Sequence, residues 1–494
     1  MNTCTLSHGI LAVIFSINIL LFPATAVAAE FVVDTSLDEV DALPGDGVCA
    51  SFSGACTLRA AVMEANALPG SDFVRVTTDV DLTIPANPLY DEEYDDRISD
   101  LDITDDLIIA GDDEYLPIIR NSAPIFSGDR RIFHVVSPVH VEMTSLIIER
   151  GDVPTGLISG AGGAAIRNDE GIVSLFGLIL RGNTADFGGA LFNAGTLEIR
   201  DSLLTQNQNI AAVSGSAIYN EGRLYVIRTR IEDNVGEDGA ISTKIGAVTF
   251  IVDSTITRNW QENGGGIYNR GEMTIHRSTI SDNEATSSTG AIFNDSGGVL
   301  TIRNSTISGN VAYIRGGIDN RGTLLVINST ITDNTDTDGS TVGGIDNAGT
   351  AFVQSSIIAG NDAGQALPRF PDCFGAFISL GHNLIGDLGD GDDNSSCSGF
   401  DDPTDRVGTS VTPIDPLLGP LADNGGYTRT HALLPESPAI DAIRFRDCVF
   451  DHDGDPETRP RRLGTDQRLI SRRQGHGCDI GAYELVKEEN WATE

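Results

Sequence analysis

One phrase returns eight times, at steps of 23 to 27 residues, and it governs what this chain can fold into. Its marker is a branched apolar residue after a glycine- or alanine-rich start, at Ile166, Leu191, Ile218, Ile241, Ile267, Ile292, Ile318 and Ile345. Two residues further on stand Asn168, Asn193, Asn220, Thr243, Asn269, Asn294, Asn320 and Asn347. A second phrase, Leu or Ile followed three residues later by Asn, closes every unit at Asn183, Asn207, Asn234, Asn259, Asn283, Asn310, Asn334 and Asn361. A period near 25 has room for three short strands and three turns, but not for a helical hairpin with its loops. The units are rich in Thr, Ile, Val, Ser and Gly, and stretches such as MTIHRSTI alternate with period two. Such a unit cannot bury its apolar face alone, so the units must stack. The expected fold is all-β, a parallel β-solenoid with one coil per repeat. Eight coils at the strand spacing make a rod section about 40 Å long. Asparagines at equivalent corners can then bond to their copies above and below.

The paired phrases resemble the GGA-Ile and Phe-x-x-Asn repeats of polymorphic outer-membrane proteins, with Leu or Ile in place of Phe, and right-handed β-helix repeats generally. The resemblance implies a right-handed parallel β-helix. Its families include adhesins, transported passenger domains and polysaccharide lyases, so it specifies fold more than function.

Residues 1–29 carry no Lys, Arg, Asp or Glu, run apolar from Ile10 to Phe22, and end in small residues at cleavage spacing, which reads as a secretory signal. No later stretch is long and apolar enough to span a bilayer. Beyond that segment six cysteines remain, an even number that suits disulfides in an exported protein. Proximity pairs Cys49 with Cys56, Cys373 with Cys397, and Cys448 with Cys478. All six lie outside the repeats, so the ends are stapled and the rod relies on stacking. The expected divisions are an N-terminal cap with first coils at 30–125, the repeats at 126–362, and a loop-rich C-terminal cap at 363–494.

Leu58, Ala61, Val62 and Ala65 share one helical face before Pro69 and Gly70, giving a short amphipathic helix suited to covering the open end of a solenoid. The motif CTLRAA at 56–61 resembles the CSLREA-type N-terminal domain of bacterial β-helix proteins. DPLLGPLADNGGYTRTHALLPESPAID at 415–441 and CDIGAYE at 478–484 resemble the choice-of-anchor Q region. TDQRLISRR departs from that pattern by lacking a glycine after DQR. These likenesses imply location and fold.

The formal net charge is −39, with only two lysines, Lys244 and Lys487. A protein that neutralises phosphates needs a basic face, so nucleic acid and anionic membranes are poor partners. Six arginines, Arg459, Arg461, Arg462, Arg468, Arg472 and Arg473, lie beside the acidic run 451–455, and pairing between the two runs is expected. Within that run Asp451, Asp453 and Asp455 are a candidate calcium loop. A second acidic run, 91–106, reads as a solvated loop.

One residue after each marker stand Arg167, Phe192, Tyr219, Ser242, Tyr268, Phe293, Asp319 and Asp346. With the markers inward, this column faces outward. Tyr219, Tyr268 and Phe293 offer apolar faces, and Asp319 with Asp346 offer polar groups or a shared cation. The plain alternative is that neighbouring aromatics stack to stabilise the sheet. Asp319, Asp346 and Lys244 are the candidate catalytic residues should the groove degrade polysaccharide; Lys244 sits in the one unit that replaces its first asparagine, with Thr243. The histidines show no metal or triad spacing. These features fit a secreted or surface module that binds glycans. The alternatives are a polysaccharide lyase or glycoside hydrolase, and a purely structural rod.

Overall fold

The structure, a computed structural model, describes residues 28–486 apart from 86–99, 113, 124–129, 154–161, 211–214, 339–341, 365–370, 390–396, 451–460 and 463. The chain winds into an all-β, right-handed parallel β-helix. A regular coil carries strands of three, five and three residues, such as Ile267–Asn269, Glu272–His276 and Thr279–Ser281. A fourth strand of two to four residues follows, such as Glu284–Ala285, which the three-strand expectation lacked. Stacking gives a marker face of 11 strands, a wide face of 13, a third face of 13 and a short fourth face of 7. Within the coils the register follows the repeat: Ile267 lies opposite Ile292, which lies opposite Ile318, which lies opposite Ile345. Each marker is buried, and the marker, Ile275-type and Ile280-type columns form one continuous core. A buried branched side chain of this kind contributes about 1.5–3 kcal/mol, repeated at every coil.

Three polar ladders run through the corners. From Asn183 to Asn361 each side-chain Nδ2 donates to the Oδ1 of the next asparagine at 2.8–3.0 Å. The backbone N–H of Asn207 donates to the same oxygen of Asn234 at 2.9 Å, and the second hydrogen of Asn207 Nδ2 meets Leu180 O at 2.9 Å. Such an amide is fully satisfied although buried. The marker-face ladder links Asn168 to Asn193 and Asn193 to Asn220 at 2.8 Å, and resumes from Asn269 to Asn347. At its break, Asn220 Nδ2 donates to Thr249 Oγ1 at 3.0 Å, and Thr249 bonds Thr243 at 2.8 Å. The third ladder is made of hydroxyls: the N–H groups of Thr229, Ser254, Ser278, Ser305 and Ser329 each donate to the hydroxyl one coil on, at 3.1–3.2 Å.

At the amino end, helix α1 (Leu58–Ala67) starts at Thr57, whose side chain accepts from Ala60 N at 3.1 Å. Its expected apolar face, Leu58, Ala61, Val62 and Ala65, packs into the first coils beside Phe31 and Val74. Arg59 is fully buried against Asp38 at 2.7 Å, and Glu64 accepts from the N–H of Gly45 at 2.6 Å. The helix thus closes the core and ties down the preceding loop. The disulfides pair as expected: Cys49–Cys56, Cys373–Cys397 and Cys448–Cys478.

The C-terminal region divides in two. Cys373–Gly375, Ile378–Ser379, Leu384–Ile385 and Arg406–Val407 continue the coil sheets. From about residue 415 the chain turns back and lies along the third face. There Thr306 donates to Gln467 Oε1 at 2.7 Å, and Gln467 Nε2 donates to Thr279 Oγ1 at 2.9 Å. Ser308 bonds His431 Nε2 at 2.8 Å, and Ala482 N donates to Thr330 Oγ1 at 3.0 Å. An apolar cluster of Ile357, Leu384, Leu433, Ile443 and Ile480 anchors the segment near the last coils.

Candidate functional site

The outward column of the marker face is longer than the repeats alone reveal. Strand register extends it backwards, since Arg167 lies opposite His134, which lies opposite Asp102. It also runs forwards, with Asp346 opposite Phe374. Asp102 lies within the acidic run expected to be a solvated loop, yet it stands on the strand Leu101–Ile103 and is buried. No spacing rule could have joined it to His134, because the two meet only through coil stacking. His134 bridges Asp102 at 3.2 Å and Asp169 at 2.8 Å. Burial alone would lower its pKa, but the two carboxylates outweigh that and raise it.

The column faces outward by alternation and is covered even so. Tyr268 and Phe293 are each 8% exposed and meet edge to face at 5.1 Å. Tyr268 donates its hydroxyl to Asp295 at 3.0 Å, and the Arg321 guanidinium lies 4.6 Å from the Phe293 ring centre. Tyr219, half-buried, packs against Phe192 at 5.9 Å and Phe187 at 5.5 Å. Ser242 separates the two aromatic pairs. Asp319 and Asp346 are direct neighbours, and the cation between them is Arg315, which contacts both. Arg321 adds a second contact to Asp319 at 3.1 Å. Asp319 is 1% exposed; burial pushes its carboxyl up while Arg315 and Arg321 pull it down. The structure therefore brings the five ligand-binding candidates onto one face and engages them with neighbouring aromatic rings and arginines.

The open chemistry lies one face away. Between the markers Ile218 and Ile241 the step is the shortest, 23 residues. There the fourth-face strand lengthens to Val235–Asp238 and pairs with Trp260–Asn263. Alternation points Trp260 and Glu262 outward on either side of buried Gln261. Trp260 is 45% exposed, against 8% for Tyr268. Glu237 and Glu262 stand on paired strands, and the nearness of Glu262, with burial, raises the Glu237 pKa. Burial, reinforced by Glu262 and Asp295, pushes the Asp238 carboxyl up to about 6. An exposed indole thus stands beside carboxyl groups whose surroundings make them harder to ionise. Lys244, in the coil between, pairs with Glu221 at 2.6 Å on an exposed turn and does not join Asp319 or Asp346.

The candidate calcium loop at Asp451, Asp453 and Asp455 lies outside the described residues, as does Arg459. Arg468 and Arg472 find other partners than the 451–455 run. Arg468 meets Asp466 at 2.7 Å and stacks on Tyr483, and Arg472 reaches Glu484 at 3.8 Å and Asn304 at 2.9 Å. The CDIGAYE and DQR motifs are therefore two halves of one buried charge network. Burial and the Asp479 charge push Glu484 up to about 8.

Compared with family models, curated proteins and solved structures, the chain finds no match. The likenesses to CSLREA-type, outer-membrane-repeat and choice-of-anchor sequences stand on their motifs alone. Among the described residues no helix is long and apolar enough to cross a membrane.

Proposed function

We propose that this chain is an exported binding rod for uncharged glycans, with its sugar contacts centred on Trp260, Glu237 and Glu262. The observation that carries the reading is the exposed Trp260 ring beside the Glu237 and Glu262 carboxyls on paired strands. A ring face supplies apolar area for a sugar, while a carboxyl and a carboxylate together offer a donor and an acceptor to its hydroxyls. The net charge of −39 repels polyanions, which favours neutral chains. Tyr219, Tyr268, Phe293, Asp319 and Asp346 lie on the adjoining marker face. Three disulfides suit an oxidising compartment, in keeping with export.

The test is binding to a panel of neutral and acidic polysaccharides. Trp260→Ala should weaken binding at least tenfold with an unchanged thermal midpoint, and equal affinity for parent and variant would defeat the assignment. Two neighbouring carboxyls also fit polysaccharide cleavage by general acid catalysis. New chain ends that appear with the parent and vanish in Glu262→Gln would decide for that second reading.

A further inference from the structure

The first two coils carry a different constellation, remote in sequence from the Trp260 ledge and independent of the glycan reading. Asp100 and Asp102 flank Leu101, whose side chain enters the core, so both carboxylates lie on the outward side of one strand. His134 faces them from the next strand, directly opposite Asp102. One ligand atom from each of the three lies within 4.8 Å of the others. Asp102 and His134 are each 2% exposed.

The surroundings orient each group. His134 Nε2 is 2.8 Å from Asp169 Oδ2, and Arg167 holds Asp169 at 2.9 Å. A hydrogen on Nε2 directed at Asp169 leaves Nδ1 facing Asp102 Oδ1 at 3.2 Å. Arg131 contacts Oδ2 of Asp100 at 3.0 Å, and Arg59 donates to the Asp100 carbonyl at 3.1 Å. A positive species suits the space between Nδ1 and the carboxylates, and a divalent cation can take the place of a proton there. A carboxylate behind the outer nitrogen of a ligating histidine is the usual support of such a site, because it fixes the tautomer and raises ligand basicity.

We propose that Asp100, Asp102 and His134 form a binding site for a divalent transition metal of the zinc or manganese class. One imidazole and two carboxylates match those ions, whereas calcium seeks six to eight oxygens. The ligands stand on paired strands next to α1, so an ion there would pin the amino-terminal coils together.

The experiment strips the full chain with a chelator, then titrates zinc or manganese chloride calorimetrically near pH 7, with calcium and magnesium chloride as controls. The expected result is one equivalent of zinc or manganese bound per chain, a raised thermal midpoint, and at least tenfold weaker binding in both His134→Ala and Asp102→Asn. Asp100→Asn provides a third variant should His134→Ala fail to fold. No stoichiometric binding, which would mean that the site holds a proton only, overturns the proposal. So does binding that persists undiminished in the folded variants, which would place the ion on the acidic surface.

Discussion

The asparagine ladder has a direction, and its last member shows why. Every amide donates towards the carboxyl end of the rod, so the final donors need an acceptor that asks for no donor of its own. Asp372 supplies it: one oxygen accepts from Asn361 N and Nδ2 at 3.0 and 2.9 Å, and the other from Asp387 N at 2.7 Å. The hydroxyl ladder ends likewise, through Asn383 on Asp405 at 2.9 Å. Burial pushes Asp372 up to about 7 against those N–H groups. A carboxyl raised on folding contributes stability that is fully present below its unfolded pKa of 3.8 and is lost as pH rises through about 7. The thermal midpoint should therefore fall between pH 5.5 and 8.5. Asp372→Asn should shrink that fall without abolishing it, since Glu484 acts in the same sense. Melting curves at the two pH values, with an equal fall in both proteins, would remove Asp372 from the account.

The corners between the wide and third faces hold left-handed backbone, as at Asp201, Arg228, Asp253 and Arg277, with φ between 46° and 53°. Acid and base alternate there, pairing Arg228 with Asp201 at 2.6 Å and Arg277 with Asp253 at 2.7 Å. The third face changes character along the rod. Where the returning segment covers it, the outward residues are Thr279, Ser281, Thr306, Ser308, Thr330 and Thr332, all buried; in uncovered coils they include Arg181, Arg230 and Glu232. Gln467 saturates two of these hydroxyls, so Gln467→Ala leaves buried groups unpaired at a cost of about 1–3 kcal/mol. That loss should appear as faster hydrogen exchange and proteolysis between 415 and 484, while the coils keep their protection. Unchanged exchange in that stretch would show that the apolar anchor alone holds it. The stretch MTIHRSTI was visible in the sequence, but nothing in it shows that such hydroxyls are covered, because their partners lie 123 to 188 residues away.

Most of the architecture was legible because a solenoid makes its long-range contacts at a fixed sequence interval. The markers, both asparagine columns, the capping helix and the cysteine pairs all follow from spacing. What stayed hidden depends on where spacing fails. His134 and Asp102 precede the regular phrases, and the Trp260 ledge pairs with the strand of the shortest repeat step. The burial of Tyr268 and Asp319 follows from loops and arginines whose reach alternation does not encode. The segment lying along the third face adds a constraint that the repeat itself lacks. It touches specific coils at fixed intervals, through Gln467, Arg472 and Ala482. Excising residues 191–217, one complete coil outside that footprint, should shorten the rod by about 4.8 Å and leave a single cooperative transition. Excising 292–317, which removes Asn304, Thr306 and Ser308, should release the segment, as protease sensitivity would report; equal tolerance of both deletions would refute the distinction. The molecule then resembles a measuring rule with a clasp riveted across part of its scale: graduations can be added or removed only on the free length, so a lineage that needed a longer or shorter reach would have to vary it at the amino-terminal side.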